Sequence, residues 1–171
     1  MNPLLDFSGL PRFTDIKPEH VAAAVDAQLA ENRALIQKLL AETTQPTWQN
    51  FVTPQDDAGE KLHRLWGAVS HLNAVMNSAE LRDAYNANLP KVTEYSSEVA
   101  QNEKLFARFK SLAASDAFHA LSKPQKKIIE NDLRDFRLGG ADLPADQKPR
   151  FAELQEKLAD LGAKFQDNVL D

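Results

Sequence analysis

The chain contains no cysteine. Disulfides and thiolate chemistry are therefore excluded, whereas a count of zero does not by itself assign a redox compartment. Histidine is also scarce: His20, His63, His71 and His119 are the only four, and no two stand four residues apart. The His-Glu-x-x-His helix of a zinc peptidase needs two imidazoles one turn apart with a glutamate base between them, and it is missing. Glycine is rare at 6 of 171 residues, and its one adjacent pair, Gly139 and Gly140, closes a helical pattern instead of following a strand. No phosphate-cradling loop is present. No stretch approaches the roughly 18 apolar residues of a membrane span. The opening MNPLLDFSGLPRF lacks the basic region and apolar run of a secretory leader. The cytoplasm is therefore the expected location. Positive charge is not in excess either. Twenty basic against 25 acidic residues leave a net −5, which gives nucleic acid no electrostatic footprint.

What is present is helical periodicity. The length suits one domain able to bury about 70% of its unfolded surface. The 43% hydrophobic and 26% charged shares are those of an ordinary globular protein. Residues 1–17 are the exception to the helical pattern. Pro3, Gly9 and Pro11 break it, while Leu4, Leu5, Phe7, Leu10, Phe13 and Ile16 supply apolar anchors, so an extended arm lying on the domain is expected.

From Pro18, a favourable first-turn residue, Val21, Val25, Leu29, Ile36 and Leu40 mark one helix face. After the connection ETTQPTWQNF, Thr53 is expected to cap a second helix with the stripe Ala58, Leu62, Leu65, Val69, Leu72 and Met76. Ser78 caps a third that carries Leu81, Tyr85 and Leu89. Pro90 either kinks that helix or starts another, which continues through Val92, Tyr95 and Val99. Leu105, Phe106, Phe109 and Leu112 form the next face. Ser122 and Gln125 make a capping box before Ile128, Ile129, Leu133 and Phe136. Phe151, Leu154, Leu158, Leu161, Phe165 and Val169 form the last stripe, and Leu170 and Asp171 follow it with no stop signal, as if the chain were cut. The prediction is an all-α array of about six or seven helices over residues 18–171. Leu65, Val69, Leu72, Leu133, Phe136, Leu158 and Leu161 are its expected core, and some apolar surface is expected to be left uncovered near Phe165 and Val169.

Several side-chain groupings imitate sites. Glu60 with His63, and Asp116 with His119, have the acid-x-x-His spacing of di-iron helices. Glu60, however, lies about 200° around its helix from Leu62, so a solvated flank is the expected role. His63, Gly67, Ser70 and Ala74, with His71 beside them, share a narrow flank that reads as close helix packing through small residues in preference to a substrate-facing wall. Lys123, Lys126, Lys127, Arg134 and Arg137 form a basic patch interleaved with Glu130, Asp132 and Asp135, as on a solvated face. Trp48, Trp66, Tyr85 and Tyr95 read as core anchors. No residue is assigned as catalytic, cofactor-binding or metal-ligating.

The segments LPRFTDIKPEHVAAAV, SHLNAVMNSAELRDAYNANLPKVTEYSSEVAQNEKLF and ENDLRDFRLGGADLP, followed by a long helix into KFQDNVLD, carry a resemblance in order and register along nearly the whole chain. It is to the N-terminal region of the thimet-oligopeptidase family of zinc metallopeptidases. The resemblance implies a longer, mostly helical enzyme that cleaves short cytosolic peptides in a channel. A zinc-activated water would attack the peptide carbonyl with a glutamate as base. On that reading this chain supplies scaffold and steric gating, holds no cofactor, and is inactive alone. The zinc and the catalytic region would lie beyond it. The competing reading is a free-standing helical interaction module that binds a partner through a helix groove.

Overall fold

The computed structural model describes residues 2–170. Met1, the first residue of the expected arm, and Asp171, which follows the last stripe, lie outside the described residues. The fold is all-α. Seven helices, α1 (Pro18–Ala41), α2 (Thr53–Val75), α3 (Ala79–Ala100), α4 (Glu103–Ala113), α5 (Asp116–His119), α6 (Lys123–Leu138) and α7 (Lys148–Leu170), occupy the described residues without any strand.

The apolar stripes assemble into two cores. In the first, Val21, Val25 and Leu29 of α1 meet Leu62, Leu65, Val69 and Leu72 of α2 and Leu81 of α3. In the second, Leu39 at the end of α1 meets Phe51, the α4 face Leu105, Phe106, Phe109 and Leu112, and Ile129 and Phe136 of α6. Helical spacing of 3.6 residues per turn explains why α4 buries all four of its large side chains on one face. A buried amide pair ties the layers: Gln28 donates to Asn32 Oδ1 at 2.8 Å, and Asn32 donates across to the Ala58 carbonyl at 3.2 Å. α3 continues through Pro90 without a break, so no second helix starts there, and the proline is exposed.

The arm is anchored at its start. Leu4 is buried against the first core, and the Asn2 side chain donates to the His20 carbonyl at 2.8 Å. Arg64 of α2 reaches out to donate to the carbonyls of Phe7 and Gly9, its guanidinium lying 5.7 Å from the Phe7 ring centroid. Two of the expected anchors do not hold. Leu10 is 90% exposed, and Phe13 sits outside the core with its ring 5.5 Å from that of His71.

Thr53 is not a cap. A π turn, Trp48–Val52, runs directly into α2, and Thr47 caps it by accepting from the Asn50 N–H at 3.1 Å. Met76 and Ile128 are exposed, and Leu133 is half-buried. The largest correction concerns α7, where Leu158 is 65% and Leu161 53% exposed instead of core. The helix packs antiparallel on α3. Asp167 near its end accepts from Asn86 at 3.1 Å, and Lys148 at its start pairs with Glu103 just beyond α3. It presents Ala152, Ala159 and Ala163 to that neighbour, so the leucines on the opposite side face solvent.

Candidate functional site

The cores meet around a cavity of about 390 Å³ walled by α1, α2, α3, α4 and α6. Its sides are apolar: Leu35 and Ile36 from α1, Val99 from α3, Phe109 from α4 and Phe136 from α6. Its polar groups are Asn32, Gln55, Tyr95, Ser96 and the carboxylates of Asp56, Asp132 and Asp135, and no lysine, arginine or histidine lines it. Burial, reinforced by the neighbouring carboxylates of Asp56 and Asp135, pushes the Asp132 carboxyl up to about 7. Its Oδ2 is shielded from solvent and accepts no hydrogen bond from the described residues. Asp56 is also raised, by burial first and by Asp57 second. Burial raises the Tyr95 hydroxyl, which Asn32 hydrogen-bonds.

This arrangement can hold a proton near neutrality, but it does not assemble a catalytic pair. The Ser96 hydroxyl donates to the Val92 carbonyl of its own helix at 2.9 Å and has no adjacent base. Asp132, grouped in the sequence with the solvated face of α6, is half-buried instead. It falls inside the apolar face of α6, four residues after Ile128 and four before Phe136, where a hydrophobic side chain is expected. Asp56 reads in the sequence only as a partner for the helix dipole, and its approach to α6 is a tertiary event that no local pattern announces.

The groupings singled out in the sequence do not converge. Glu60, His63, Asp116 and His119 are all exposed, and among the described residues no three of His, Cys, Asp and Glu gather to hold a metal ion. The flank of His63, Gly67 and Ala74 faces open space instead of a packed helix. Only Ser70 is engaged, hydrogen-bonded to the Tyr85 hydroxyl. The basic patch is a solvated face paired within itself, Lys127 with Glu130, Arg134 with Asp135 and Arg137 with Asp142. Trp48, Trp66, Tyr85 and Tyr95 each pack, half-buried, against one of the two cores.

A second concavity, of about 650 Å³, runs between α3 and α7 past Leu89, Pro90, Thr93, Ala159 and Ala163. Beyond it lies the outer face of α7, where Leu154, Leu158, Leu161, Phe165 and Val169 are all exposed. No helix among the described residues is long and apolar enough to cross a membrane.

Residues 25–148 match the family described as Neurolysin/Thimet oligopeptidase, N-terminal domain. Oligopeptidase A of Haemophilus influenzae is 44% identical over 172 residues, covering 99% of this chain and 25% of the relative. Oligopeptidase A of Escherichia coli is 41% identical over 170 residues with the same coverage. A protein of Arabidopsis thaliana named probable cytosolic oligopeptidase A is 28% identical over 170 residues, covering 99% of this chain and 24% of the relative. The chain thus spans about a quarter of the length of the curated relatives it matches. With the family match extending across both helical cores, the chain belongs to the neurolysin/thimet oligopeptidase family.

Proposed function

We propose that this chain is the N-terminal helical part of a longer cytoplasmic zinc metalloendopeptidase that degrades short oligopeptides. Its role there is scaffold and steric gate, and it is inactive by itself. The observation that carries the reading is the coverage: 99% of this chain aligns with oligopeptidase A while 25% of that relative is accounted for. The uncovered leucine face of α7 supports it, because exposed apolar stripes of this kind mark surfaces that a partner covers.

The residues present do not suit zinc. Three protein ligands must converge on the ion, and the four histidines are spread over α1, α2 and α5 without a third ligand beside any pair among the described residues. On this proposal the metal, its ligands and the catalytic base belong to the missing C-terminal catalytic region.

The test compares the 171-residue chain with the polypeptide encoded by the uninterrupted gene. Calorimetric zinc titration and a quenched-fluorescent peptide substrate should show neither tight zinc nor turnover for the short chain. Both should appear for the long one, with turnover abolished by a chelator. One equivalent of tight zinc on the short chain overturns its inactivity. A natural stop codon after Asp171 favours the free-standing interaction module.

A further inference from the structure

We propose that the outward face of α7 is the docking surface for an amphipathic helix with an acidic flank, supplied by the polypeptide that follows α7 in the full-length protein. This rests on the reading above and adds the chemistry of the contact. Leu154, Leu158, Leu161 and Phe165 continue the stripe begun by half-buried Phe151 at alternating steps of three and four residues. That is the a and d pattern of a helix pairing with another helix. α3 does not satisfy this face, since it receives the alanine side of α7 instead.

The two edges of the stripe differ. In the same heptad frame Arg150, Lys157 and Lys164 occupy the successive g positions, so one edge is basic, while Gln155 and Gly162 at e leave the other uncharged. Arg150 and Lys164 pair with Glu153 and Asp160 of their own helix at 2.6 and 2.8 Å, but those exposed pairs are weak and exchangeable. A second copy fits poorly. Antiparallel pairing sets g against g and brings lysine to lysine, and parallel pairing sets the lysines against uncharged e positions. A membrane surface has no attraction either, because the four basic residues of α7 are balanced by Glu153, Glu156, Asp160 and Asp167. Acidic residues beside an apolar stripe complement the basic edge.

Gly162 supplies an independent observation. Glycine inside a helix costs about 1 kcal/mol relative to alanine, and nothing lies within 4 Å of the Cβ it lacks. No packing among the described residues accounts for it. Its place beside Leu158 and Leu161 makes a notch where a second helix backbone can approach closely.

The experiment uses Leu161→Cys in the 171-residue chain and in the polypeptide of the uninterrupted gene, with thiol labelling located by mass spectrometry. Labelling should be fast in the short chain and about 100-fold slower in the long one, as for a site exposed only by local opening. Lys157→Glu with Lys164→Glu in the long polypeptide should raise that rate about tenfold, as expected for loss of an electrostatic contact. Equal labelling in both chains of a polypeptide that still cleaves peptides overturns the docking surface and leaves the proposed function standing. Protection with no peptidase activity does the reverse. No change on charge reversal overturns the acidic flank. Protection in the short chain together with dimeric sedimentation makes a second copy the occupant and overturns the proposal, as does a gene that ends at Asp171.

Discussion

Trp66 and Tyr85 stack with ring centroids 4.9 Å apart and planes 14° from parallel, joining α2 to α3 at the edge of the first core. Ser70, one turn beyond Trp66, hydrogen-bonds the Tyr85 hydroxyl, so the ring is held at both its face and its tip. Offset aromatic pairs contribute about 0.5–1.5 kcal/mol beyond the area they bury. A double-mutant cycle of Trp66→Ala and Tyr85→Ala should return a coupling energy in that range from denaturant melts. Strict additivity would show that the two rings merely share a neighbourhood.

Leu65 and Leu158 are both leucines on helical stripes, but Leu65 is 1% exposed and Leu158 65%. Leu65→Ala should destabilise the chain by about 2–5 kcal/mol, the range for a buried leucine. Leu158→Ala should stay within about 0.5 kcal/mol of wild type, as surface substitutions do. Equal losses at the two positions in urea melts would contradict the outward orientation of α7.

Asp132 sets a pH dependence. Its carboxyl titrates near 7 in the folded chain, above the ordinary unfolded value of about 3.9. The folded state therefore binds this proton more tightly, and its contribution to stability falls as pH rises through the window between those values. Below the window both states are protonated and there is no penalty; above it the penalty is complete. Asp132→Asn removes the titration, so the variant should melt above wild type at pH 8 and close to it near pH 3.5. Parallel melting curves for the two proteins across that range would sink the assignment.

Two glycines should respond in opposite directions to alanine. A Cβ on Gly139 would meet the Ala100 Cβ at 2.5 Å, where α6 ends against the end of α3. Gly139→Ala should therefore cost about 1–3 kcal/mol, as overpacking does. Gly67 lies within α2 with nothing within 4 Å of the added atom. Gly67→Ala should stabilise by about 0.5–1 kcal/mol through helix propensity. Thermal melts of the two variants check the difference in sign.

Thr47→Ala should lose about 1 kcal/mol, because its hydroxyl satisfies the Asn50 N–H, one of the free donors of the turn that leads into α2. Thr53→Ala, at the position where the sequence places the cap, should lose less. A larger loss at Thr53 in the same melts would argue against the π turn.

Most helices were legible because their signals are local. The Ser122–Gln125 capping box forms as its spacing requires, with the Ser122 N–H donating to Gln125 Oε1 at 3.0 Å. The four large side chains of α4 share one face and are all buried. Periodicity states which side chains lie together, but not which neighbour they meet. That is why Leu158 and Leu161 were grouped correctly on one face and assigned wrongly to the core. The cavity was hidden for a related reason. Asp56 and Asp132 are far apart in sequence, and only the tertiary fold brings Asp56 close enough to raise the Asp132 carboxyl.

The clasp of Arg64 on the Phe7 and Gly9 carbonyls gives the arm a second fastening, apart from Leu4 in the first core and Asn2 on the His20 carbonyl. The arm is thus strapped to α1 at one point and to α2 at another. A strap held at two points lifts away only when both fastenings open together, so cutting either one alone leaves the segment in place.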